Sequence, residues 1–251
     1  MKRKIFALCF IGLISSGFLF AQNLGLKESF FQKITSKYGD VKELSANFEM
    51  NMSVMGTSMK MPMKMWVKGN KLRVDATTQM PGMDQAMQIT TLLNDKNLIT
   101  YNSFNNTIMT VNLNDFSDEI KKKLWSNNNF IFGSDIEIWK KIKDKVTVEE
   151  VNKDGKKFYL ITVANLEAIQ NSMNIPVNTP MLFKKLLYWL DYESLMPVKM
   201  ELYGETETPG MWIDFLEIKM SGVPDSIFDV KFPDNAKKMD MTEAFKGMLP
   251  K

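Results

Sequence analysis

Methionine recurs at every second position over one short part of the chain, and this pattern has the clearest chemical consequence in the sequence. Ten of the 21 methionines fall between Met50 and Met87. Thioether sulfur is a soft ligand that selects Cu(I). The same side chain is long, flexible and polarisable, so it also suits irregular apolar surfaces that accept variable ligands. The spacing therefore indicates either a copper(I) site or a lining for apolar ligands.

The methionines belong to two stretches in which apolar and polar residues alternate, residues 46–54 and 59–67. A period of two predicts β-strands with one apolar and one polar face. A short turn at Gly56 would join them into a hairpin, and a third strand, 71–76, would follow the turn at Gly69. Pro62 cannot donate a ladder hydrogen bond, so it favours a sheet edge or a bulge at that point.

The apolar interpretation is favoured over copper by geometry and by composition. Residues i and i+2 of one strand lie about 7 Å apart, so a single strand cannot close a chelate. The chain has no histidine, and its one cysteine is Cys9. Acyl chains are suitable apolar ligands, because each buried CH₂ contributes about 0.8 kcal/mol. Copper(I) binding by the same methionines remains the alternative, and no resident metal or cofactor is predicted.

The first residues have the composition of a secretory signal peptide. Lys2, Arg3 and Lys4 precede an apolar run over 6–20, and Ala21 is a plausible residue at the cleavage point. The sequence thus predicts a leader over residues 1–21, a single domain over 22–251 and a periplasmic location. Three of the 32 basic residues lie in the leader, which leaves 29 against 29 acidic residues and no basic excess for nucleic acid.

The remaining composition argues against an enzyme. Without histidine, and with its only cysteine in the leader, the mature chain lacks the residues of an ordinary zinc site or of a Cys-His or Ser-His nucleophile. Asp225, Asp229 and Asp234 fit turn carboxylates better than a catalytic pair. The predicted function is binding without catalysis.

The rest of the chain reads as many short strands with a few helices. Residues 23–37 predict an amphipathic helix that packs on the sheet, and 228–232 are a possible late strand before a last helical turn over 242–248. About eleven strands joined by short turns predict one curved antiparallel sheet, an open barrel whose mouth helices cover.

Three blocks of sequence resemble the LolA-like family of periplasmic lipoprotein carriers. The first, residues 48–75, ends in MKMWVKGNKLRVD; the second, 90–110, contains TLLNDKNLITYNSFNNTIMT. The third, 187–233, contains LYWLDYESLMPVKMELYG and IDFLEIKMSGVPDSIFDVKFP. Their order along the chain is more specific than any one of them.

This resemblance implies an unclosed, mainly β, eleven-stranded barrel with a helical lid over a hydrophobic cavity. It also implies a monomeric carrier that takes lipoprotein acyl chains or other lipids from an inner-membrane exporter to an outer-membrane acceptor. The carriers' lid-contacting arginine falls near the turn that follows Lys68, with Arg73 close by. An envelope-stress sensor that shares the fold and binds a protein partner is a further alternative.

The predicted binding site combines the alternating face of the hairpin with neighbouring strands. The residues expected to line the cavity are Phe48, Met50, Met52, Met59, Met61, Met63, Met65, Val67, Leu93, Tyr101 and Met109. The residues expected to contact the lid are Lys68 and Arg73.

Overall fold

Twelve strands form one continuous sheet in the computed structural model, which describes residues 25–39, 41–54, 57–79, 85–121, 143–166 and 183–248. The strand order is β12-β6-β5-β4-β3-β2-β1-β11-β10-β9-β8-β7. The strands are β1 Glu43–Val54, β2 Thr57–Lys68, β3 Lys71–Thr78, β4 Met87–Leu93, β5 Asn97–Asn102, β6 Thr107–Asn112, β7 Val146–Lys153, β8 Lys156–Val163, β9 Lys185–Asp191, β10 Pro197–Tyr203, β11 Met211–Lys219 and β12 Lys237–Asp240.

The predicted architecture, a mainly β fold built on an open antiparallel sheet, is confirmed. Every pairing except one in the described residues is antiparallel, and the order runs from β12 at one edge to β7 at the other. Strands close in sequence pair through short turns, as at Asp154–Gly155, where both residues have positive φ. Positive φ at both central residues is the geometry that matches the twist of a β-hairpin.

The alternation of side chains divides the sheet into two faces. On the apolar face, β1 and β2 place Ala46 opposite Met65 and Leu44 opposite Val67. On the polar face, Asn47 lies opposite Lys64. We call these the apolar face and the polar face, and every strand residue can be assigned to one of them from the pairing register.

A helix over residues 25–38 covers part of the apolar face, as the sequence predicted. Phe30 is fully buried against the ring of Tyr159 in β8, with 5.0 Å between centroids. The hydroxyl of Tyr38 donates to the carbonyl of Leu195 over 2.7 Å, and burial raises the pKa of this phenol. The Lys33 Nζ also donates to the Tyr159 hydroxyl at 2.9 Å. The helix is therefore anchored over β8 and the β9–β10 turn.

The chain after β11 departs from the sequence prediction. Residues 228–232, predicted as a possible strand, contain the end of a 3-10 turn, Asp225–Phe228, and then irregular chain without ladder pairing. The last strand is instead β12, which pairs parallel with β6, so there are twelve strands in the described residues rather than about eleven. The C-terminal helix, Thr242–Met248, follows directly.

Residues 220–236, which we call the C-terminal strap, connect β11 to β12 across the polar face. Val223 accepts a hydrogen bond from Lys68 of β2, and Phe232 packs on Tyr101 of β5 with 5.6 Å between ring centroids. The Asn106 side chain, just before β6, donates to the carbonyl of Asn235 over 3.2 Å. The strap thus spans the sheet from β2 to β6.

Pro62 lies where the sequence predicted an edge. β3 pairs with β2 from Met63 onward, so the part of β2 over residues 57–62 has β1 as its partner in the described ladders. A residue without an N–H is tolerated there, because its neighbour on the β3 side makes no ladder bond.

Some sequence predictions concern residues outside the described ranges. These are the leader over 1–21 and the turn at Gly56 that was predicted to join the first two strands. Within the described part of the chain, no helix is both long enough and apolar enough to cross a bilayer.

Candidate functional site

The hairpin of β1 and β2 brings the predicted methionines together as cross-strand pairs. Met50 lies opposite Met61, and Met52 lies opposite Met59. Directly opposite residues of an antiparallel pair have Cβ atoms about 4.5–5.5 Å apart, so these side chains meet. On its other edge β1 pairs with β11, where Met52 lies opposite Met211. A row of three methionine side chains therefore crosses β2, β1 and β11.

Burial changes along this face from one end of the hairpin to the other. Ala46, Phe48 and Met65 are 2–3 % exposed and belong to the main core. Met63 and Met50 are half-buried and still pack against the core. The pair Met52–Met59 and its neighbour Met61 are half-buried as well, but they lie beyond the described core cluster. The apolar face is thus packed solid at one end and loosely covered at the other.

The other predicted lining residues divide between the two faces. Leu93 and Val67 belong to the apolar face at its packed end, since each pairs with Leu72 of β3. Met109 also lies on the apolar face, opposite Thr100 and beside Met239 of β12. Tyr101 does not, because its partner Thr90 pairs with Asp75 on the polar face. The inclusion of Tyr101 in the lining is therefore corrected.

Lys68 and Arg73, predicted to contact a helical lid, lie on the polar face and hold the C-terminal strap. Lys68 Nζ donates to the carbonyl of Val223 at 2.9 Å and to a carboxylate oxygen of Asp225 at 3.1 Å. Hydrogen bonds from Lys68 and then Lys71 lower the pKa of Asp225. Arg73 donates to the carbonyl of Ile227 at 2.6 Å. Both cations lie on the face opposite the methionines and contact the strap, and their contact with a helical lid stays a prediction.

Arg73 is also fixed within its own strand. Its Nε and Nη2 atoms donate to the two carboxylate oxygens of Asp75 at 3.0 and 2.6 Å, and its guanidinium lies 5.3 Å from the centre of the Trp66 ring. A planar guanidinium held by two parallel bonds and an aromatic ring has little freedom. Arg73 therefore acts as a structural clamp between β3 and the strap.

The charged residues of β1–β4 all lie on the polar face. This follows from the register, in which these residues share the alternation of Asn47, Lys64 and Asp75. The apolar face of the four strands therefore presents apolar side chains and a few neutral polar ones. Such a surface suits an uncharged ligand or the uncharged part of a larger one, because an unpaired charge is costly to desolvate.

Sequence reasoning missed two residues of this face, Thr78 and Met87. Thr78 ends β3, shares the alternation of Leu72 and Ala76, and lies opposite Met87 of β4. It is 4 % exposed, and within the described structure its hydroxyl oxygen has no hydrogen-bond partner. Extending the alternation of the third strand by two residues would have placed Thr78 on this face.

The polar face contains a groove of about 650 Å³ across β1 to β4. Two of the predicted lining residues, Phe48 and Met63, contribute to its wall, and so does Arg73. Beside it lies Leu216, the extra residue of a bulge in β11, which is 68 % exposed. The groove is lined by apolar and polar residues in similar measure, and it differs from the methionine surface in presenting charged side chains, Lys64, Arg73 and Asp75.

Clusters of histidine, cysteine or carboxylate residues that could bind a metal do not occur in the described ranges. Met52, Met59 and Met211 are instead the group with ligand character, since thioether sulfur binds soft cations.

Comparison of whole folds finds similar architectures, whereas sequence comparison finds none. No family model matches the sequence, and no curated protein matches it. An uncharacterized conserved protein from Thermus thermophilus superposes with a TM-score of 0.51 at 10% identity, over 83% of this chain and 98% of that one. At this identity the likeness shows a shared fold and nothing further.

Two weaker similarities involve proteins whose names match the family that the sequence resembles. A putative outer membrane lipoprotein-sorting protein domain from Vibrio parahaemolyticus has a TM-score of 0.35 at 11% identity, over 79% of this chain and 94% of that one. A LolA superfamily protein from Nitrosomonas europaea has a TM-score of 0.30 at 12% identity, over 78% and 96%. At these scores neither similarity enters the functional argument. The similarity to the Thermus thermophilus protein therefore shows a shared fold, and it assigns no function.

Proposed function

We propose that this protein is a periplasmic, non-enzymatic carrier of acyl chains, which it binds on the loosely covered end of its apolar face. The methionines expected to contact the chain are Met50, Met52, Met59, Met61 and Met63. The order of the three sequence blocks described above supports the assignment to lipoprotein or lipid transfer between an exporter and an acceptor. The predicted leader supports export.

The observation that supports the proposal most is the change in burial along one continuous face. A folded chain that needed only stability would fill such a face with stiff β-branched side chains, which fit the pleat better. Here the packed end combines aliphatic and aromatic side chains with a single methionine of the hairpin, Met65, whereas the half-buried end has five methionines. Flexible thioethers adapt to a ligand and release it with little reorganisation, as a carrier requires.

Detergent-free purification followed by native mass spectrometry tests the proposal. We expect the mature protein from its own envelope to retain a mass in the lipid or acylated-peptide range. We expect Met52→Glu and Met63→Glu together to remove that mass, because a carboxylate on this face cannot be desolvated beside an acyl chain. The matched control is Leu216→Glu, which puts the same charge on the polar face and should leave the bound mass unchanged.

The result that would contradict the carrier assignment is a bare protein that also takes up no lipid from vesicles. A bound mass that persists in the double variant would place the ligand elsewhere, with the polar-face groove as the first place to examine.

A copper(I) site is the second candidate, and the register of the sheet favours it more than the sequence did. One strand cannot chelate, but Met59, Met52 and Met211 lie side by side on three neighbouring strands. Three thioethers at that spacing can converge on one soft cation. Competition with a coloured Cu(I) chelator would detect it, and Met211→Ile should then weaken Cu(I) binding at least tenfold. An unchanged competition curve in Met211→Ile would exclude this site.

A further inference from the structure

One polar atom on the apolar face is unexplained by the packing around it. The hydroxyl of Thr78 is buried, with the residue 4 % exposed, and no partner for it exists in the described part of the chain. Leaving a buried hydroxyl unpaired costs about 1–3 kcal/mol. A threonine at this position therefore calls for an explanation, because valine has the same shape and needs no partner.

The position of Thr78 places this hydroxyl among the methionines. Across the β3–β4 ladder Thr78 lies opposite Met87, and on the other side the β2–β3 ladder ends with Met63 opposite Ala76. Met63 and Met87 therefore belong to the strands on either side of β3, on the same face as Thr78. Thioether sulfur is only a weak acceptor, and neither methionine makes a hydrogen bond with the hydroxyl in the structure.

The charge distribution limits what can approach the hydroxyl. The charged side chains of β1–β4 lie on the opposite face, so these four strands offer no cation here to neutralise a carboxylate or a phosphate. A neutral acceptor that is cheap to desolvate fits best. Ester and amide carbonyls have that character, and they occur at the head of an acyl chain.

We infer that Thr78 forms a carbonyl subsite: its hydroxyl donates a hydrogen bond to the ester or amide carbonyl of an acyl chain bound along the methionines. The inference rests on the proposed carrier function and goes beyond it, since it distinguishes acylated ligands from plain hydrocarbon chains. The methionines then bind the chain non-specifically, and Thr78 selects the linkage.

A pair of matched lipids tests this directly. Dipalmitoyl phosphatidylglycerol has two ester carbonyls, and its dihexadecyl ether analogue has none but keeps the same head group and chain length. The mature protein is incubated with vesicles of each lipid, separated by size exclusion, and the bound lipid is quantified. We expect about fivefold tighter binding of the ester lipid, the ratio that one neutral hydrogen bond typically gives.

Variants at Thr78 identify the source of that preference. Thr78→Val should reduce ester binding to the level of ether binding and leave ether binding unchanged, because the methionine surface is intact. Thr78→Ser keeps the hydroxyl and should keep the preference. Thr107→Val is the matched control, since Thr107 is also a buried threonine of the sheet, but its hydroxyl already donates to the carbonyl of Asn105 over 3.1 Å.

The outcomes separate this inference from the proposed function. Equal binding of both lipids by the wild type, or an ester preference that survives Thr78→Val, would overturn the carbonyl subsite while the carrier remains supported. Binding of neither lipid would overturn the carrier and the subsite with it.

Discussion

Two threonine hydroxyls on the apolar face, those of Thr78 and Thr107, contribute differently to the stability of the protein without ligand. Thr107 donates to a backbone carbonyl, whereas Thr78 has no partner in the described structure. Replacing an unpaired hydroxyl by a methyl of the same shape is neutral or stabilising. We therefore expect Thr78→Val to keep or raise the free energy of unfolding in the absence of lipid, measured by urea denaturation.

The companion substitution should act in the opposite direction. Thr107→Val removes the hydrogen bond from the buried Thr107 to the carbonyl of the exposed Asn105, so we expect a loss of about 1 kcal/mol. Equal destabilisation by both substitutions would mean that the Thr78 hydroxyl has a partner in the free protein, such as a bound water.

Asp191 links stability to pH through the turn between β9 and β10. Its carboxylate accepts from the hydroxyl of Ser194 at 2.6 Å and from the backbone N–H of Ser194 at 2.7 Å, and these bonds lower the pKa of Asp191. A carboxylate whose pKa is lower in the folded state contributes stability above its unfolded pKa, about 3.9, and loses it as the pH falls through the folded value.

The test is a comparison of Asp191→Asn with the wild type across acidic pH. We expect the variant to be less stable at pH 6, and the difference between the two proteins to shrink as the pH falls below about 4. The control is Glu193→Gln, an exposed carboxylate in the same turn. A difference that stays constant down to pH 2 would show that charge on Asp191 is not the stabilising feature.

At the scale of elements, the β7–β8 hairpin depends on backbone conformation at its turn. Gly155 has φ +74°, and a Cβ added to it would contact nothing within 4 Å. Gly155→Ala should nevertheless cost about 1 kcal/mol, because the left-handed conformation strains a residue with a Cβ.

Gly247 offers a matched comparison for that prediction. A Cβ there also meets nothing, but Gly247 lies in the C-terminal helix and has no positive φ. Gly247→Ala should therefore be neutral or slightly stabilising in the same thermal or urea denaturation, because alanine favours helix. Equal effects at both positions would contradict the conformational explanation.

Strands could be predicted from the sequence where the alternation of apolar and polar residues alone determines the structure, and not where distant contacts determine it. In the first hairpin the alternation was sufficient, and the methionine pairs follow directly from it. Residues 228–232 also alternate, through Phe228, Val230 and Phe232, yet they form no strand. The nearby carbonyls of Val223 and Ile227 are held instead by Lys68 and Arg73, which lie more than 150 positions earlier.

The same limit explains the last strand and the misplaced site residues. β12 has four exposed residues and no alternation, so its pairing with β6 depends on where the strap brings it. The aromatic ring of Tyr101 suggested the apolar face, but the pairing of Tyr101 with Thr90 of β4 places it on the polar face. Thr78 was missed because a single threonine at a strand end has no signal beyond its parity.

At the scale of the whole molecule, the two halves of the sheet differ in how firmly they are held. Around β8 both ladder neighbours are present, and Tyr159 and Ile161 are fully buried beneath the N-terminal helix. The β2 segment 57–62 pairs with β1 alone in the described ladders and contains the half-buried methionines. The region proposed to accept ligand is therefore the less constrained one.

Amide hydrogen exchange measured by mass spectrometry checks that difference. We expect peptides from Lys156–Val163 to exchange far more slowly than peptides from residues 57–62, because local opening is cheapest where pairing and burial are least. Added acyl ligand should slow the β2 peptides selectively. Equal protection of both regions in the protein without ligand would contradict the proposal that one half of the sheet is rigid and the other adaptable.

The pairing of β1 with β11 determines how late in synthesis the sheet can be completed. Ser45 finds its partner Lys219 only after some 170 intervening residues have been made, and such non-local pairing is slow to form. Until then β1 offers an open edge to any other extended chain. A product that terminates before Met211 would keep that edge permanently, so partial synthesis of this protein should yield aggregates rather than a smaller folded domain.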